Sequence, residues 1–350
     1  MVVGEDGALP LPWLAEPLAA VLQAQRGHAL LLHAAPGVGA MEFVVVLAQA
    51  WLCEGAGPRK PCGRCGSCRL VQSQVHPDLR VLLPETLRRQ HGWALADDKA
   101  DSEDSKKKPS KQIKIDEVRA VIDWVFKTSA RGQGKVAVLH PAEALNLQSA
   151  NALLKTLEEP PPGTRLLLTA ADPAVLLPTV RSRCHHLSLP TPDAATGAAW
   201  LAGQGVLSPE VLLAGCSGRP LDALALSRAG IDAQTWAALP QAVAQGRAAA
   251  LSGWPLPLAI DALHKICHDA MARSSGAAAR FFPSQNVAPA RWPALAAWQR
   301  ELARVARHDE HPWNEGLLID ALVTAGADAL LPPPPHKPGG ARRLDTLRPT

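Results

Sequence analysis

The chain is poor in the residues that stack on bases. It has no tyrosine, four phenylalanines and an aromatic content of 4% in 350 residues. Single-stranded nucleic acid is held largely on aromatic faces, so the composition argues against a dedicated DNA-binding module. Excess charge is lacking as well: 36 Lys and Arg stand against 32 Asp and Glu, a formal net charge of +4. That balance permits contact with nucleic acid without demanding it. No apolar run approaches the roughly 18 residues that argue for a membrane span. Residues 1–12 contain no basic stretch leading into a long apolar run, so they do not read as a secretory signal. No acidic pair is placed to hold the two metals of nucleotidyl transfer, which argues against a polymerase active site. No short internal repeat occurs. The seven cysteines are an odd number, and four of them are tightly clustered. Without an export signal that pattern favours metal binding over disulfides, and the expected location is the cytoplasm.

What is present is ample apolar material, 47% of the residues, in a chain long enough for two or three domains. Over the first half, short apolar runs alternate with amphipathic stretches. Strands are predicted at 29–33, 78–83, 135–140, 165–169 and 184–189, and helices at 41–52, 115–127 and 147–157. The alternation predicts an α/β fold, a parallel sheet covered by helices. Residues 96–111, A-D-D-K-A-D-S-E-D-S-K-K-K-P-S-K, hold no apolar side chain larger than Ala apart from Pro109. A disordered surface insertion is expected there; its lysine run reads as a solvated loop or a nucleic-acid contact. Leu189-Pro190-Thr191-Pro192 closes a first domain, 1–190. The chain then turns Ala- and Leu-rich with helical spacing. Gly218-Arg219-Pro220 opens a helix of a small second domain, 191–244. A third, all-helical domain is expected at 245–331, with Trp254, Trp292, Trp298 and Trp313 as core or interface anchors. Residues 332–350, beginning P-P-P-P-H-K-P-G-G, read as a flexible tail.

Cys53, Cys62, Cys65 and Cys68 have the spacing C-x8-C-x2-C-x2-C. Thiolates two residues apart in a tight turn can face one ion, and Gly63 and Gly66 give such turns their freedom. Four sulfurs suit tetrahedral Zn²⁺ and leave no position for water, so a structural site is expected. An iron–sulfur cluster and reactive free thiols are the alternatives. Cys184, Cys216 and Cys267 stand apart and read as buried core residues.

Residues 30–43 read L-L-L-H-A-A-P-G-V-G-A-M-E-F. A strand runs into a glycine turn and an apolar helix follows, as at the Gly-x-x-x-x-Gly-Lys-Ser/Thr phosphate loop of a P-loop nucleotidase. Gly39 keeps the second glycine. Ala34 replaces the first, Ala40 the Lys and Met41 the hydroxyl residue. Nothing here neutralises β/γ-phosphates or ligates Mg²⁺. Read alone, Pro36-Gly37-Val38-Gly39 could equally be an ordinary turn. The strand 135–140 would end such an enzyme's acidic pair, yet His140 and Pro141 stand there, and Glu143 is expected to face away. Pro178-Thr179-Val180-Arg181-Ser182-Arg183-Cys184 sets Arg183 just before an apolar strand. An Arg at that edge can reach a neighbouring subunit's γ-phosphate, or can be a surface Arg paired with an acid.

The run Ser149-Ala150-Asn151-Ala152-Leu153-Leu154-Lys155-Thr156-Leu157-Glu158-Glu159-Pro160-Pro161 resembles the clamp-loader subunits of bacterial DNA polymerase III. Ser182-Arg183-Cys184, the cysteine knuckle, His76-Pro77-Asp78 and Pro12-Trp13-Leu14 are similar to the same family. The resemblance covers about residues 10–230, and the charged insertion near residue 100 departs from it. It implies an AAA+ fold: a RecA-like parallel-sheet domain carrying a zinc module at 53–68, a small helical lid and an all-helical collar. It further implies a pentameric loader that opens a sliding clamp and places it on primer–template DNA. The ATPase tau/gamma subunits and the delta subunit would be partners, with no membrane involved. Within that family the degenerate loop at Gly37, Gly39, Ala40 and Met41 singles out the member that does not hydrolyse ATP. Arg183 would then be an arginine finger acting in trans. Lys155, Glu158 and Glu159 would make interface contacts or form a solvated helix face. An active AAA+ ATPase with an atypical P-loop and a zinc-containing DNA-binding module remain alternatives.

Overall fold

The computed structural model describes residues 2–24, 27–93, 109–307 and 313–332. The insertion expected at 96–111 lies outside them as far as residue 108, and so does the tail from residue 333. The described chain packs as two compact units. The first comprises residues 1–205 together with 218–225; the second comprises 206–217 and the chain from 226 onward.

The first unit is built on five parallel strands: β1 (Ala29–Ala34), β2 (Leu79–Leu82), β3 (Lys135–Leu139), β4 (Thr164–Ala170) and β5 (His185–Leu189). Their spatial order is β2-β3-β4-β1-β5. Its helices are α1 (Ala15–Ala24), α2 (Ala40–Leu52), α3 (Gly66–Gln72), α4 (Glu85–His91), α5 (Ile115–Val125), α6 (Leu147–Glu158), α7 (Pro178–Arg181) and α8 (Ala194–Gly203). Strands β1–β4 are largely apolar because both faces are covered, whereas the edge strand β5, His-His-Leu-Ser-Leu, is mostly exposed. Leu30 and Leu32 of β1 join Phe43, Val44 and Leu47 of α2 in one buried cluster. Leu31, between them, points the other way and joins Val118 and Val121 of α5 and Leu153 and Leu157 of α6. The period-2 alternation of a strand thus splits one leucine run between two cores. This is the α/β fold expected from the sequence, a parallel sheet covered by helices.

Past β5, the described residues contain helices and no strand. After α8 come α9 (Pro209–Gly215), α10 (Pro220–Arg228), α11 (Ala233–Ala244), α12 (Leu256–Ser274), α13 (Trp292–Ala306) and α14 (Glu315–Ala329). In the second unit α12 packs on α13, α13 on α14, and α14 on α11. Two close approaches set this packing. A methyl at Gly215 would lie 2.6 Å from the Trp236 ring, and one at Gly326 would lie 2.6 Å from the Trp298 ring. Trp236 stacks on Phe282 at 5.1 Å and donates to the Phe281 carbonyl at 3.1 Å. Asp269, fully buried, accepts the backbone N–H groups of Arg280, Phe281 and Phe282 at 2.8–3.0 Å. Among the tryptophans expected as anchors, Trp298 is core, Trp254 stacks on Trp236, and Trp292 is half exposed. Among the described residues no helix is long and apolar enough to cross a membrane.

Candidate functional site

In open α/β sheets ligands bind beyond the carboxyl ends of the strands. The turn after β1 lies there, and Gly39 caps α2 with φ +104°. A helix N-terminus in this setting is a ready anion site. Here the chain itself packs against the turn. A methyl at Gly37 (φ +73°) would lie 2.3 Å from Asp222 Oδ1, and one at Gly39 would lie 2.3 Å from Leu11 Cδ1. Leu221 N donates to the Gly37 carbonyl at 3.0 Å, and Trp13 Nε1 donates to the Val38 carbonyl at 2.8 Å. Asp222 Oδ2 is held by Arg219 Nε at 2.7 Å. A glycine that would let a phosphate come close instead admits a carboxylate and a leucine. Ala40 and Met41 open α2 with neither an ammonium nor a hydroxyl, and Met41 is buried. Leu11 and the Arg219-paired Asp222 thus lie against the two loop glycines, and the loop has no lysine to attract a phosphate.

The end of β3 matches the sequence expectation. His140 shares a hydrogen bond with Thr169 Oγ1 at 2.6 Å, and burial lowers its pKa to about 4. It is therefore a neutral imidazole, not a metal-binding acid. Glu143 closes the turn after β4, where its Oε1 accepts Ala171 N at 2.6 Å and Asp172 N at 3.0 Å.

The four cysteines converge. All four Sγ atoms lie within 4.8 Å of one another, with Cys53–Cys65 at 4.0 Å and Cys62–Cys68 at 3.9 Å. A tetrahedral zinc with Zn–S near 2.3 Å has sulfurs about 3.8 Å apart, so the donor set fits that ion. Backbone N–H groups of Cys62, Cys65 and Cys68 point at Cys53, Cys62 and Cys65 sulfurs, each at 3.4 Å. Such donors favour a thiolate; on Cys62 the backbone N–H groups of Arg64 and then Cys65 bring the pKa down to about 6. Burial pushes the Cys53 and Cys68 thiols up. The positions follow from local structure. Cys53 ends α2, and Cys65 caps α3. Gly63 sits at φ +73°, where a methyl would lie 1.9 Å from the Gly4 carbonyl. The buried His76 links the knuckle to the sheet. Its Nδ1 accepts Asp78 N at 3.0 Å, so Nε2 carries the proton and donates to Ser67 Oγ at 2.8 Å. Ser67 Oγ donates in turn to the Leu52 carbonyl. Cys184, Cys216 and Cys267 are buried elsewhere, as expected.

Arg183 stands between α7 and β5, at the sheet edge. Nε donates to Glu158 Oε1 at 2.6 Å, Nη2 donates to the same oxygen, and Nη1 donates to the Thr179 carbonyl at 2.8 Å. In the isolated chain the guanidinium is thus held by an acid of its own chain. Lys155 and Glu159 belong to neither this pair nor the loop site.

Asp222, Leu11 and Thr169 could not be picked out from the sequence, because each acts from a distant segment. Pro12-Trp13-Leu14 and His76-Pro77-Asp78 are visible there as motifs, and the structure shows what they do: Trp13 contacts Val38, and His76 bridges to Ser67.

Comparison with known proteins agrees with this picture. The family model described as "DNA polymerase III, delta subunit" matches residues 14–193. The chain is 37% identical over 216 residues to DNA polymerase III subunit delta' of Pseudomonas aeruginosa, covering 61% of this chain and 59% of that one. It is 34% identical over 282 residues to subunit delta' of Escherichia coli, covering 76% of this chain and 78% of that one. Subunit tau of Escherichia coli is 31% identical over 166 residues, 47% of this chain and 22% of tau. The matched part therefore spans about three fifths and four fifths of these two delta' relatives. With a family match over half its length and a parallel-sheet domain carrying the degenerate loop and the cysteine knuckle, the chain belongs to the delta-prime family of DNA polymerase III clamp-loader subunits.

Proposed function

We propose that this chain is a non-hydrolysing clamp-loader subunit that lends Arg183 to the active site of an adjacent ATPase subunit. The observation that carries the first part is the degenerate phosphate loop: Asp222 and Leu11 of the chain itself pack against Gly37 and Gly39. The missing lysine at Ala40 and the neutral His140 where a metal-binding acid would be needed act in the same direction. Without these groups the chain cannot gather Mg²⁺ and γ-phosphate. What it can supply is a guanidinium at a sheet edge. A cation arriving at a transferring phosphoryl group is worth about 10³–10⁵ in rate at the site it serves.

On this reading the partners are tau/gamma-type ATPase subunits and a delta subunit in the cytoplasm, and the sliding clamp and primer–template DNA are engaged through the complex. Residues 191–244 act as the lid and 245–331 as the collar. The knuckle binds one structural Zn²⁺. The test is a reconstituted loader assayed for ATP hydrolysis and clamp loading on primed DNA, beside the isolated chain with Mg-ATP. The isolated chain should not turn over ATP. Arg183→Ala should assemble normally yet lower both loader activities, partially, because other ATPase sites have other fingers. Arg183→Lys should rescue poorly, since a point charge lacks the planar fork. Wild-type hydrolysis and loading by the Ala variant would refute the trans role.

A further inference from the structure

Resting on that reading of Arg183, we propose that Glu158 is a latch, a positioning residue that keeps the finger withdrawn on its own chain until a neighbour's phosphate displaces it. The geometry is specific. Glu158 is the last residue of α6, and Arg183 lies two residues past the end of α7. All three guanidinium nitrogens are engaged within the chain: Nε and Nη2 on Glu158 Oε1, and Nη1 on the Thr179 carbonyl at 2.8 Å and Ser182 Oγ at 3.4 Å. A guanidinium used in this way cannot also present a two-pronged fork to a phosphate. Arg183 must leave Glu158 to act in trans.

The pair is built to be left. Its side chains are 30% and 47% exposed, and ion pairs at such exposure are weak and salt-screened. Thr179 and Ser182 flank Arg183 on its own turn, so they can stay with it while the Glu158 contact is exchanged. A γ-phosphate offers more negative charge than one carboxylate and matches the fork bidentately. The exchange is thus downhill when a nucleotide-bearing neighbour docks and unfavourable otherwise. The finger stays ordered on the free subunit, away from adventitious anions, and is released by the charge it is meant to meet.

Glu158→Gln keeps the shape and removes the charge. In the reconstituted loader with clamp and primed DNA it should raise steady-state ATP hydrolysis by roughly two- to fivefold, the scale of one partly exposed ion pair. Raising ionic strength should shrink that gap, because salt screens the wild-type latch. Glu158→Asp, which keeps the charge on a shorter arm, should fall between. In an Arg183→Ala background Glu158→Gln should change nothing, whereas a general effect on α6 would persist there. Size-exclusion chromatography of each complex controls for assembly. If Glu158→Gln leaves hydrolysis unchanged or lowers it while Arg183→Ala still impairs the loader, the latch is refuted and the finger stands. If Arg183→Ala has no effect, the finger reading falls and takes the latch with it.

Discussion

At the scale of single residues, His140 is the most exacting substitution. It ends β3 with its ring largely buried and bonded to Thr169. Burial lowers its pKa from 6.5 to about 4. The folded chain therefore keeps the imidazole neutral where the unfolded chain would protonate it. The stabilisation is complete above pH 6.5, declines as pH falls through 6.5 toward 4, and is gone below that. One such group gives a slope of at most about 1.4 kcal/mol per pH unit. His76, whose pKa burial also lowers, acts in the same direction. Urea unfolding at pH 7 and pH 5 should show wild type losing more stability on acidification than His140→Asn, which keeps a polar group for Thr169 without a titrating ring. Equal losses would mean His140 titrates normally. The sequence made the absence of acids at 140 and 141 plain. It could not reveal Thr169 as the compensating partner, because strand neighbours are set by sheet order and not by separation along the chain. Asp222 was hidden for the same reason, sitting in a stretch legible only as a helix.

Among the elements, β1–β4 were legible because burial on both sheet faces demands near-continuous apolar runs, and every strand, the mostly exposed β5 included, was placed to within a residue or two. Short polar helices were not. The stretch Glu85–His91 has a single leucine, and its helix is secured by the Arg88–Glu117 ion pair at 2.9 Å and a left-handed Gly92. Both lie outside any local periodicity. The cysteine knuckle was readable from spacing alone, whereas its anchorage through Ser67 and His76 was not. That anchorage bears on its energetics: loss of metal should loosen α3 and the residues between Cys53 and Cys68 more than the sheet. Metal analysis should find about one zinc per chain, and the Cys62→Ser/Cys65→Ser double variant should lose it. Full retention by that variant would refute the site. Zinc must expel protons from thiols that burial raises, Cys53 and Cys68, so metal content should fall on dialysis at progressively lower pH.

For the whole molecule, two compact units imply two cores that can fail separately. Calorimetry or urea unfolding of the isolated chain should resolve two transitions. Chelation of zinc should lower the one belonging to the sheet unit. Gly326→Val, which forces a side chain into the Trp298 ring, should lower the other by a few kcal/mol, as overpacking does. A single transition displaced equally by both treatments would mean the units unfold as one. The carboxylate seated on Gly37 has a consequence at this same scale. It belongs to the chain, so it cannot be diluted, exchanged or consumed. An ATPase domain samples empty, ATP-bound and ADP-bound forms in proportions set by the cell's supply of fuel. On the reading proposed above, the loop of this chain would keep that one occupant whatever the supply of fuel. Beside subunits that do respond to fuel, such a loop would make this chain a fixed point for their displacements.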